Sequence, residues 1–155
     1  MLGSHGRWPK NGEIDIVEAV NGNPKFYYSL HSTKHHSGHP QHPPHQPKRM
    51  NSNFDETPLI AGLEWNVQDH KGKIDITWWM SWHDLGSNTW QKQHTTFSMF
   101  SWGNQDYWDF HNSFSNGGFH LVVNLAQGGN WPSNNIFPNE QPQHMHITST
   151  KVYGF

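Results

Sequence analysis

The chain has 155 residues, a formal net charge of −2, charged residues at 14%, aromatics at 14% with nine Trp, and no Cys. That length suits one domain with one core. The charge carries no basic stripe, which excludes nucleic acid and anionic membrane surfaces as partners; no run of 18 apolar residues could span a bilayer, the opening MLGSHGRWPKNG has no signal-peptide h-region, and thiolate metal sites and disulfides are ruled out. Against a usual charged share near 25%, the weight of aromatics suits a carbohydrate-binding surface, although strands and core claim most of those rings.

The first predicted element is EIDIVEAV (13–20). Glu13 and Asp15 alternate with Ile14 and Ile16, the period of a half-buried strand. Continued without interruption, that period would drive Glu18 into the core. An extra residue accommodated as a β-bulge around Ile16 and Val17 shifts the pleat by one and returns Glu18 to the face of Glu13 and Asp15. The outer pair then lies about 13 Å apart between Cα atoms, within reach of the ~5 to 5.5 Å between carboxyls used by retaining glycosidases. Acids are poor strand formers and repel one another on one face, so three of them together ask for a use.

A second strand is predicted over KFYYSLHS (25–32), where His31 faces the same region. The stretch 31–49 holds six of the fourteen His and four Pro. Imidazole suits Zn, Cu or Ni, but the tract has no fixed ligand spacing and no carboxylate partner, so 33–49 is read as a solvated insertion. Further strands are predicted over 59–65, 73–80, 95–101, 119–126 and 145–153, separated by Asn, Gly and Pro-rich turns such as DHKG and SNGG. No helical period stands out. The predicted class is all-β, a sandwich of antiparallel sheets with the ligand surface on its loops.

With these residues in view, RWPKNGEIDIVEAVNG resembles glycoside hydrolase family 16, and within it the bulged laminarinase-like branch, whose signature is WP, a short gap and GEIDI(V/I/M)E. GLEW (62–65), FHLVVNLAQGGNWP (119–132) and ITSTKVYGF (147–155) are similar to later family segments in the same order. The resemblance implies a concanavalin-like β-jelly-roll and retaining, endo-acting hydrolysis of a β-1,3 or mixed β-1,3/1,4 glucan by double displacement. It implies Glu13 as nucleophile, Glu18 as general acid/base and Asp15 as the residue assisting both, with no cofactor and no metal. Trp8 and Trp131 would offer flat faces to sugar rings, and His31, Asn124 and Gln127 would meet hydroxyls. The partner expected is β-glucan, in an extracellular or cell-surface setting.

Two departures accompany the resemblance. KIDITWWMSWHD differs from the family's hairpin at its end, and only twelve residues precede Glu13, so residues 1–155 are expected to be a catalytic domain without its N-terminal strands. Different functional classes share these motifs: a glucan-binding protein without catalysis, a transglycosylase, or a galactan hydrolase of the same family.

Overall fold

A computed structural model describes residues 1–4, 6–19, 25–34, 48–49, 58–84, 87–102, 105–125 and 144–154. It divides into two units, Met1–Val122 and Val123–Phe155. The first unit holds every helix and strand found among the described residues. Its sheets are antiparallel, as expected for the jelly-roll sandwich, and no described helix is long and apolar enough to cross a membrane.

The first sheet contains β1 (Leu2–Gly3), β2 (Glu13–Ala19), β3 (Lys25–His31), β4 (Lys48–Arg49) and β8 (Phe119–His120), in the order β4-β3-β2-β1-β8. The second contains β5 (Leu59–Gln68), β6 (Lys73–Asp84) and β7 (Thr89–Phe100), in the order β5-β6-β7. Alternation decides which residues meet between them. On β6, Ile74, Ile76, Trp78 and Met80 are buried while their odd-numbered neighbours turn away, and they join Ile14, Tyr28, Leu30 and Met99 in a single core. The sheets are also joined by polar contacts: Tyr28 Oη donates to Thr95 Oγ1 at 3.2 Å, and the Tyr28 and Trp78 rings lie 5.1 Å apart.

The connection from β5 to β6 is a turn of 3-10 helix, Asp69–Lys71, ended by Gly72 at φ +55. A Cβ there would stand 2.1 Å from Ser101 Oγ. Both the left-handed backbone and the lack of space require glycine at this position.

One helix, α1 (Gln105–Asn116), corrects the sequence reading. Its buried residues are Asp106, Tyr107, Asp109, Phe110 and Ser113, a stripe of helical spacing in which polar and aromatic residues mix. The acids serve the chain that leaves β3: Ser32 Oγ donates to Asp106 Oδ1 at 2.5 Å, and the Thr33 amide donates to Asp109 Oδ2 at 2.7 Å. Two predicted strands are also corrected. Of 119–126 only Phe119–His120 pairs, and neither 121–125 nor 144–154 forms a strand. A strand persists only where a neighbour takes its amides and carbonyls, and no such pairing reaches these residues among those described. The His/Pro tract falls outside the described residues at 35–47.

Gly3 fixes the other edge of the site. An added Cβ would fall 1.7 Å from the Asn11 carbonyl oxygen, while the Gly3 amide donates to Gly12 O at 2.9 Å and the Gly3 carbonyl accepts from Asn11 Nδ2 at 2.6 Å. Gly3→Ala must therefore push β1 off the loop that leads into β2. An overpacking loss of about 1–3 kcal/mol is expected, to be read as a lower urea midpoint at unchanged slope.

Candidate active site

The pairing of β2 with β3 contains the expected bulge. Glu13 stands opposite His31, Ile14 opposite Leu30 and Asp15 opposite Ser29; the register then shifts, and Glu18 pairs with Tyr27. Ile16 and Val17 thus share Tyr28 as their one opposite number. Directly paired residues lie on the same face of a sheet. Glu13, Asp15, Glu18, Ser29 and His31 therefore share one face, and Ile14, Tyr28 and Leu30 enter the core from the other.

The core holds the bulge in place from below. Trp78 Nε1 donates to the Asp15 carbonyl oxygen at 2.9 Å, satisfying a backbone group at the point where the ladder is interrupted. Trp78 itself is 1% exposed. An indole fixed in the core thus sets the height and direction of the strand at its central acid.

Each acid has its own surroundings. Glu13 Oε2 accepts from Trp8 Nε1 at 2.6 Å, and the Trp8 ring remains 47% exposed. Asp15 Oδ2 accepts from Ser29 Oγ at 2.5 Å and pairs with His31 Nε2 at 3.0 Å. Burial alone would raise the Asp15 pKa, but the hydrogen bonds from His31 and Ser29, together with the imidazolium charge, hold it below the usual carboxylate range. The same hydrogen bond, helped by the charges of the three acids, raises His31 above its ordinary value against the effect of burial.

Glu18 moves the opposite way. Burial, followed by the negative charge of Asp15, pushes its carboxyl up to about 6, against a weak hydrogen bond from Ser29 at 3.3 Å and the charge of His31. The arrangement thus keeps Asp15 ionised while Glu18 retains its proton at mildly acidic pH, two carboxyls on one strand whose environments drive their proton affinities apart. Donor atoms of Glu13, Asp15 and His31 also lie within 4.8 Å of one another, close enough to hold a cation.

Residues 1–73 match a family model described as XgeA-like, catalytic GH16 domain. Over that stretch the chain is similar to the catalytic domains of glycoside hydrolase family 16. The matched stretch includes β1, β2 and β3, hence the whole acidic face. The chain is also 25% identical over 150 residues to the beta-glucanase of Rhodothermus marinus, an alignment covering 94% of this chain and 46% of that protein. The chain therefore spans less than half the length of that relative. No solved structure matches it.

The other residues singled out from the sequence fare differently. Trp8 and His31 reach the acidic face, but as partners of Glu13 and Asp15. Asn124 is exposed in the second unit, and Gln127 and Trp131 lie outside the described residues. Ser29 was missed. It sits two residues before His31 on an alternating strand, so the period that placed His31 at the site places Ser29 there as well.

Proposed function

We propose that this chain is the catalytic part of a retaining, endo-acting β-glucanase of glycoside hydrolase family 16, in its laminarinase-like branch, cleaving β-1,3 or mixed β-1,3/1,4 linkages by double displacement. The observation that carries this reading is the bulge, which sets Glu13, Asp15 and Glu18 on one face with Glu18 inclined to keep its proton. Glu13 attacks the anomeric carbon as a carboxylate, with the Trp8 N–H fixing its orientation. Glu18 donates its proton to the departing glycosidic oxygen. A water that then loses its proton to Glu18 resolves the glycosyl-enzyme and restores the acid. Asp15, ionised between them, raises the affinity of Glu18 for its proton and holds the charge of His31 against the site.

The exposed Trp8 face beside Glu13 offers a sugar ring a flat apolar surface, which supports a β-glucan as partner; an extracellular or cell-surface place of work is proposed with it, as the setting in which such a polymer would be met. The name of the Rhodothermus marinus relative points to the same substrate class. Product analysis on laminarin, lichenan, xyloglucan and agarose tests the reading. Oligosaccharides from laminarin or lichenan are expected; products from agarose alone would make the chain a galactan hydrolase, products lengthened by a sugar acceptor would make it a transglycosylase, and binding without products would make it a glucan-binding protein. Proton NMR of the first-formed reducing end should show the β-anomer before mutarotation. Initial α-anomer would remove Glu13 from the role of nucleophile.

A further inference from the structure

The acidic face holds a hydroxyl that the double-displacement scheme leaves unused. Ser29 is 4% exposed and lies at the centre of the cluster. Its Oγ is 2.5 Å from Asp15 Oδ2, 3.3 Å from Glu18 Oε2 and 3.4 Å from His31 Nε2. A serine hydroxyl has one hydrogen and two lone pairs. Two carboxylates are within its range, and it can serve only one of them at a time.

We propose that Ser29 is a positioning residue whose hydroxyl hydrogen turns from Asp15 to Glu18 each time Glu18 gives up its proton, and turns back when Glu18 regains it. The inference rests on Glu18 being the general acid/base. While Glu18 is protonated, Asp15 is the stronger acceptor and takes the Ser29 hydrogen, and the Oγ lone pair is left toward Glu18. Once Glu18 has protonated the leaving oxygen, a second carboxylate faces Ser29 and the O–H swings toward it. No bond to the serine oxygen breaks; only its torsion changes.

The geometry allows this exchange because Asp15 is never left without a donor. His31 Nε2 stays 3.0 Å from the same Oδ2 that Ser29 releases. The bulge brings Glu18 into reach: Ser29 pairs directly with Asp15, and the register shift draws the next acid of the face toward the same hydroxyl. Among the described residues, the charged groups acting on Glu18 are Asp15 and Glu13 on its own strand, His31 on β3, and the Met1 amino group ahead of β1. Ser29 is a neutral group beside them with both carboxylates within reach of its hydroxyl.

The test compares the full chain with Ser29→Thr and Ser29→Val, two side chains of nearly equal shape of which the first keeps the hydroxyl. Carboxyl carbon NMR of uniformly labelled protein follows each acid through its titration, with the Glu18 signal assigned by its loss in Glu18→Gln. Ser29→Val should raise the Glu18 midpoint by roughly half a pH unit or more, because the ionised form loses a donor, and Ser29→Thr should restore it. The alkaline limb of kcat/KM on laminarin should move by the same interval. A Glu18 midpoint equal in the Val and Thr proteins, with only Asp15 moving, would overturn the exchange and leave Ser29 a fixed partner of Asp15. Should the parent chain prove inactive on every glucan, the hydrolase reading falls, and the titration still decides the role of the hydroxyl.

Discussion

Glu18→Gln should lose turnover and gain stability together. Removing the acid/base lowers kcat by roughly 10²- to 10⁴-fold, whereas an aryl glycoside with a good leaving group needs no proton in its first step and should be cleaved to a glycosyl-enzyme that then accumulates. Glu13→Gln shows no such relief, since it lacks the attacking group. The stability change follows from the pKa of Glu18, raised from 4.5 to about 6. The native state holds this proton more tightly than the unfolded chain does, so the contribution of Glu18 is fully present below pH 4.5 and is lost as pH rises through about 6. A neutral Gln avoids that loss. Because Glu18 is partly exposed, the gain above pH 6 is discounted to roughly 1 kcal/mol. Urea midpoints of parent and variant should coincide near pH 4 and separate above pH 6. A variant less stable than its parent at neutral pH would show that Glu18 is held as a comfortable carboxylate and is no poised acid.

Trp78→Ala is expected to have the largest effect on the fold. It empties the place of a side chain 1% exposed, removes the ring packed 5.1 Å from Tyr28, and takes away the indole donor to the Asp15 carbonyl. Core truncations of this size cost about 3–5 kcal/mol, a large part of the 5–15 kcal/mol that holds a typical domain together. Trp78→Phe separates packing from hydrogen bonding. It should lose only about 1–3 kcal/mol, yet still reduce turnover, because the carbonyl at the bulge loses the indole N–H that holds it. Thermal melts and kcat on laminarin measured side by side check both. If Trp78→Phe kept full activity, the indole N–H would have no part in setting the acids.

Much of the acidic face could be read from the sequence because a strand's period is strict. Glu18 stood on the wrong side of an otherwise regular alternation, and the bulge that explains it is present. Strands β2, β3, β5, β6 and β7 were legible for the same reason. Helix α1 was not, because burial in it follows helical spacing while hydrophobicity does not: Asp106, Asp109 and Ser113 face inward to meet the chain after β3 and the Asn11 carbonyl, so the apolar stripe is broken. The strand patterns at 121–125 and 145–153 misled in the opposite sense. Alternation shows that a segment fits a sheet, and pairing decides whether it joins one. His31 and Trp8 stand beside the acids, where each also meets a carboxylate, Asp15 and Glu13 respectively, a contact that strand period does not reveal.

The bulge also makes β2 adjustable in whole notches. Deleting Ile16 or Val17 would leave Glu-x-Asp-x-Glu, a plain alternation that still sets all three acids on one face, but without the bend and added twist that a bulge brings. Inserting one residue between Glu13 and Asp15 would instead turn one of them inward. The spacing of this face is therefore recorded in residue count, and a single codon gained or lost would regear the strand with no acid replaced.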